Sequence, residues 1–291
     1  MPKLSRVTVA RARRRVGLAL IAAATALTAR RARAVDPFEI QVYDGTANDR
    51  GAAGLELHVN TVASGVKESD PPELPQHHQT HFTLEPSFGL TPWWELGAYL
   101  QGALRADGHF DYAGLKLRSK FVTPPGFHPH ARLGVNFEVS RLPDTYDRDR
   151  WGGELRPIAA YEDDRWILAI NPIMDLPLAG QGFHDGPTIE PAAMVKRKLF
   201  EAFAIGVEYF GGFGPVAHLR GRHEQVHYLY EVVDLLAVDH LELNVGVGEG
   251  LTEASNGLVF KLIVGYTLDP ADKKTVSALP RRWAHAGAAP R

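Results

Sequence analysis

The stretch ARLGVNFEVS (residues 131–140) decides the fold. In an extended chain Leu133, Val135, Phe137 and Val139 point one way, and Arg132, Gly134, Asn136 and Glu138 the other. A helix would need apolar residues three and four apart, and that spacing is absent. The same period of two runs through GLELHVN (54–60), where Leu55, Leu57 and Val59 oppose Glu56, His58 and Asn60. It returns in HLELNVGVGEG (240–250), where Leu241, Leu243, Val245 and Val247 oppose Glu242, Asn244, Gly246 and Gly248. Working outward, twelve such segments follow one another: 51–63, 81–90, 94–104, 109–121, 130–140, 152–161, 165–176, 187–198, 203–212, 224–235, 240–249 and 257–267.

The connections alternate in kind. TPW, TPPGFHP, EDD, FEA and a stretch around AVD are mostly tight, whereas SGVKESDPPELPQHHQT, RLPDTYDRDRW, PLAGQGFHDG and GFGPVAHLRGRH, after strands one, five, seven and nine, are long and polar; after strands three and eleven the loops, RADG and GLTEASN, are shorter. Long loops at one end and short turns at the other mark an outer-membrane barrel. Lipid offers no partner to backbone N–H and C=O groups, so spanning strands close on themselves. The expected fold class is therefore all-β: a transmembrane antiparallel up-and-down β-barrel of about twelve strands, with long extracellular loops, short periplasmic turns and both termini in the periplasm. Aromatic residues near the strand ends, among them Trp93, Trp94, Phe121, Trp151, Tyr161, Trp166 and Tyr266, fit interfacial belts. A soluble periplasmic sandwich would show the same alternation with its apolar face turned inward.

The 291 residues include no cysteine, which excludes a disulfide scaffold, a thiolate metal site and a cysteine nucleophile. Residues 1–34 carry nine Lys/Arg and no acid; VGLALIAAATALTA (16–29) and the small residues of Ala32-Arg33-Ala34 complete a secretory signal peptide. The remaining chain holds 23 basic and 34 acidic residues, which argues against nucleic acid as a partner. Residues 35–50 read as an N-terminal periplasmic or plug segment, 51–268 as the barrel and 269–291 as a polar, disordered tail.

DPFEIQVYDG (36–45), GLELHVN, LEPSFGLTPWWELGAYLQ (84–101), GLKLRSKFV (114–122), WGGELRPI (151–158), NPIMDL (171–176), EPAAMVK (190–196) and LNVGVGEGLT (243–252) together resemble a group of proteobacterial outer-membrane proteins. Those sequences carry a meta-pathway-of-phenol-degradation or transporter label. The resemblance covers most of the chain after residue 36. It implies a barrel, leaves function open, and brings no catalytic residues with it.

With apolar residues toward lipid, a charged lumen wall follows. Lys116, Arg118, Lys120 and Arg132 form a basic side, and Glu208, Glu231 and Glu242 an acidic one, and these are the candidate selectivity residues of a porin-like channel for small solutes. The same residue types would also fill a closed, structural lumen. The expected surroundings are outer-membrane lipid and lipopolysaccharide; no cofactor is expected, and the oligomeric state is open.

An enzyme is the competing class. His223-Glu224-Gln225-Val226-His227 matches H-E-x-x-H, which on a helix holds zinc. Here it falls in a strand pattern, where residues four apart stand about 13 Å apart. His77, His78 and His81 crowd one loop as further metal candidates, and Asp144, Asp147 and Asp149 could take calcium. A lipase needs a Ser-His pair; G-x-S-x-G is absent, and Ser87, Ser119 and Ser140 have no histidine two residues away.

Overall fold

The computed structural model describes residues 35–238 and 240–269. The expected signal peptide at 1–34 and the tail from 270 lie outside the described residues. The elements among those residues are strands. In chain order they are β1 Ala53–Ser64, β2 Thr80–Thr91, β3 Trp94–Leu104, β4 Phe110–Val122, β5 Ala131–Arg141 and β6 Trp151–Glu162. β7 runs as Trp166–Asn171 and Met174–Ala179, β8 as Thr188–Ile189 and Ala192–Leu199, and β9 as Phe203–Gly212 and Gly214–Pro215. β10 is Val226–Leu235, β11 Leu241–Gly250 and β12 Leu258–Leu268. The interruptions in β7 and β8 coincide with Pro172 and Pro191, which have no N–H to give a ladder.

Each strand pairs antiparallel with its sequence neighbours, and β12 returns to β1 from Ala53↔Leu268 to Ser64↔Leu258. The sheet is thus a closed twelve-stranded antiparallel barrel, and no edge is left to pair with another chain. Strands β1 and β12 begin and end at the short-turn end.

The barrel is dressed inside out relative to a soluble one. On the outer face Leu55, Leu117, Ile170, Val195 and Phe260 are between 44% and 57% exposed. On the inner face Glu85, Lys196 and Lys261 are at most 5% exposed. Water would penalise so continuous an apolar exterior, and hydrocarbon rewards it. The soluble-sandwich alternative is therefore set aside. At the short-turn end Trp93, Trp94 and Phe121 stack with ring centroids 5.6–6.5 Å apart. At the same end, elsewhere on the circumference, the Arg197 guanidinium lies 5.7 Å from the Trp166 ring centroid. Its long stem lets an outward-facing charge reach the interface.

One sequence expectation fails here. Glu231 is exposed on the outer face of β10, between Leu229 and Val233, and opposite Val207 and Val247 of the flanking strands. The inner face of β10 carries Val226, Tyr228, Tyr230, Val232 and Asp234. Both faces of VHYLYEVVDL are apolar, so its charge was a misleading guide to register.

Candidate functional site

Residues 36–48 lie inside the barrel. Phe38 packs edge-on against His81, at the start of β2, and against Tyr146 in the long β5–β6 loop. Ten residues later, the Asn48 N–H donates to Glu95 at the start of β3, 2.5 Å away. The segment therefore crosses the lumen from the long-loop end to the short-turn end before entering β1.

Its sequence explains how it is held. PFEIQVYD alternates as a strand does, but among the described residues no strand pairs with it, and the wall's side chains satisfy its backbone. Pro37 O accepts from Asn60 Nδ2, Phe38 O from Thr83 Oγ1, Ile40 O from Lys261 Nζ, and Asp44 O from Arg132 Nε, at 2.8–3.1 Å. Tyr43 gives its N–H to Asn171 Oδ1 (2.7 Å) and takes a bond from Asn171 Nδ2 at its carbonyl (3.0 Å). The side chains sort by wall. Ile40 and Val42 join an apolar cluster with Ile167, Met194, Phe210, Tyr230 and Val232. Glu39 pairs with Arg156 (3.1 Å) and Lys116 (3.6 Å), and Asp36 with Lys116. The Tyr43 hydroxyl meets that of Tyr99 at 2.5 Å, with the Arg156 guanidinium 4.3 Å from the Tyr43 ring centroid.

Two glycines permit the close approach. Gly45 has φ +76°, a left-handed conformation, and a Cβ there would stand 2.9 Å from Arg132 Cβ. At Gly89 a Cβ would come within 2.2 Å of Asp49 O and 2.4 Å of Asn48 O.

The basic and acidic residues read from the sequence are brought together by pairing. Arg118 spans Glu85 (2.6 Å) and Glu95 (2.7 Å), Lys120 joins Glu95 (2.9 Å), and Arg132 reaches Glu162 (2.8 Å). Across the lumen, Glu208 sits between Lys196 (2.9 Å) and Lys261, and Lys196 also holds Asp234 (2.8 Å). Asp234 takes the place the sequence reading gave to Glu231. Glu242 lines a cavity of about 70 Å³ with Tyr43, Asp44, Glu56, Lys120 and Glu208, room for a few waters.

The histidine motifs do not assemble. His223 and Glu224 lie in the β9–β10 loop, where Glu224 Oε2 accepts from the Gly221 N–H at 3.2 Å. His227 is on β10, bonded to Tyr209 Oη (2.7 Å) and Gln225 Oε1 (3.1 Å). His77 and His78 lie in the β1–β2 loop with ring centroids 3.9 Å apart, tilted by 33°, and His81 turns into the lumen against Gln79. Asp144 pairs with Arg150, while Asp149 accepts from the Gly182 N–H. Of the serines, Ser87 Oγ accepts from Asn48 and Ser119 Oγ from Trp94. Among the described residues the group that converges three metal-ligating atoms is Glu56, His58 and Glu85, all within 4.8 Å of one another. The alternation in GLELHVN had placed His58 on the polar face but gave no reason to single it out.

An apolar exterior, a charged interior and a closed antiparallel sheet define a transmembrane β-barrel. Solved structures agree on the fold. The KdgM porin superposes with TM-score 0.50 at 10% identity, covering 74% of this chain and 99% of that one. The COG4313 outer membrane channel from Pseudomonas putida F1 superposes with TM-score 0.53 at 10% identity, covering 79% of this chain and 100% of that one. At such identity the likeness is one of architecture: this chain has the fold of outer-membrane barrel channels. No protein-family profile matches the chain, and no curated protein matches it.

Proposed function

We propose that the protein is an outer-membrane channel for small solutes, closed in this conformation by its own residues 36–48. The observation that carries the reading is how that segment is held. It is gripped through hydrogen bonds and ion pairs that water can replace, across a wall already lined with charge. A purely structural filling would be served better by apolar side chains, because buried ion pairs contribute little net stability. The solved channels that share the fold support the same reading. In this orientation the long loops face outward and the short turns face the periplasm, and lipopolysaccharide surrounds the outer half of the apolar belt.

Planar-bilayer recording tests it. The detergent-folded protein should show rare, brief openings. Deletion of residues 36–47, with folding checked by heat-modifiable gel mobility, should give stable stepwise conductance. A folded deletion variant that passes no current overturns the channel reading and leaves a structural barrel.

A further inference from the structure

The β1–β2 wall holds a buried histidine between two carboxylates, an ion pair with either only if its ring is protonated. His58 is fully buried, and neither ring nitrogen has a hydrogen-bond partner. Its Nε2 faces Glu85 Oε2 at 3.4 Å and Glu56 Oε2 at 3.6 Å. Both separations exceed the 2.7–3.2 Å span of an N–H···O bond. Glu85 is divided in its duties: Oε1 is taken by Arg118 at 2.6 Å, while the buried Oε2 has no hydrogen-bond partner and turns to His58.

The two histidine–carboxylate spacings match the edges of a coordination shell, and the third edge, Glu56 to Glu85, is within 4.8 Å. Ligands at the corners of a tetrahedron around zinc, with bonds of about 2.0–2.1 Å, stand about 3.4 Å apart. A fourth corner is at hand. The Gln41 side-chain amide of the inner segment lies 3.3 Å from Glu56 Oε2. A half-turn of that amide, whose oxygen and nitrogen are interchangeable in shape, would turn Oε1 toward Glu56 in the cavity that Gln41, Glu56 and Glu85 line together.

We infer that Glu56, His58 and Glu85 form a binding site for one divalent transition-metal ion of the zinc type, completed by Gln41 from the segment in the lumen. One imidazole and two carboxylates are a donor set that suits zinc. Gln41 is the only one of the four that does not belong to the wall, so an occupied site fastens the segment to β1 and β2. The inference depends on the segment lying in the lumen and not on the barrel conducting, so a barrel that never conducts leaves it standing.

Zinc uptake is the test. The detergent-folded, chelator-treated protein is dialysed against zinc chloride and its metal content measured, then titrated with cobalt(II) and its visible absorption followed. One equivalent per barrel is expected, with cobalt bands of tetrahedral intensity. His58→Ala should abolish the uptake, and Gln41→Ala should weaken it without abolishing it, while His227→Ala and His77→Ala leave it unchanged. Glu56→Gln serves as the second variant if His58→Ala does not fold. No stoichiometric uptake by the parent protein, the result expected if an imidazolium fills the place of an ion, overturns the proposal. So does uptake undiminished in folded His58→Ala or Glu56→Gln.

Discussion

Asn171 of β7 and Tyr43 of the inner segment exchange two hydrogen bonds, one through each end of the Asn171 amide, at 2.7 and 3.0 Å. The side chain thereby does for one residue what a neighbouring strand does for a ladder. Asn171 is fully buried, so in the closed conformation neither bond competes with water; only displacement of the segment lets water in. Asn171→Leu keeps the volume and leaves the Tyr43 N–H and C=O without partners. Each such group costs about 1–3 kcal/mol. The two together cost at least about 2 kcal/mol, a shift of roughly thirtyfold or more toward the displaced segment. Bilayer recordings should show openings more frequent by that order, with the barrel itself still folded.

At the lower end of the segment the packing is steric. Gly89→Ala sets a methyl group against the Asp49 and Asn48 carbonyl oxygens, which are backbone and cannot swing aside. A strain of about 1–3 kcal/mol is expected, relieved by displacing residues 44–50. Limited proteolysis of the detergent-folded variant should cut that stretch faster than in the parent.

The pairing of Lys196 with Glu208 and Asp234 is buried, with all three side chains at most 7% exposed. Lys196→Met strands carboxylates in the wall and should cost about 3–5 kcal/mol. Adding Asp234→Leu removes one stranded charge, and stability should recover in part. Urea unfolding in detergent or lipid vesicles, followed by tryptophan fluorescence, reads both steps; a double variant weaker than the single would refute the pairing.

Glu231 makes the opposite case. It sits midway along β10 on the face that meets hydrocarbon. A carboxyl there costs free energy, less than the about 2–4 kcal/mol of a basic residue at the bilayer midplane. Glu231→Leu should therefore raise the unfolding free energy in lipid vesicles by about 1 kcal/mol, and should leave ion preference untouched. A shift in reversal potential would return Glu231 to the lumen.

The strands were legible because lipid and lumen make opposite demands on alternate residues. ARLGVNFEVS and HLELNVGVGEG obey both demands and fall on β5 and β11 to within a residue or two. The reading failed where one demand lapses. On β10 the inner face packs on Ile40 and Val42, so Tyr228, Tyr230 and Val232 need no polarity there. With both faces apolar, Glu231 seemed to mark the lumen and Asp234 went unnoticed. Glu56 and Glu85 were visible as wall residues, but their convergence on His58 depends on the register of β1 against β2, where Glu56 stands directly opposite Glu85 and His58 opposite Thr83. No spacing within either strand encodes that register. DPFEIQVYDG has the alternation of a strand without a strand's partner, and its threading through the barrel is written only in the wall residues that grip it.

The inner segment and the wall differ in one further respect, which is ownership of charge. Asp36, Glu39 and Asp44 travel with the segment, whereas Lys116, Arg156 and Arg132, which they contact, stay with the strands. In the proposed open state withdrawal would make room and, in the same motion, remove three carboxylates from one side of the space it vacates. Each of those cations keeps one wall carboxylate, Glu138 for Lys116, Glu154 for Arg156 and Glu162 for Arg132. A solute carrying a carboxylate would occupy the places the segment's acids had left and compete with the segment for them. Cargo of that charge would oppose closing, with no separate receptor for it.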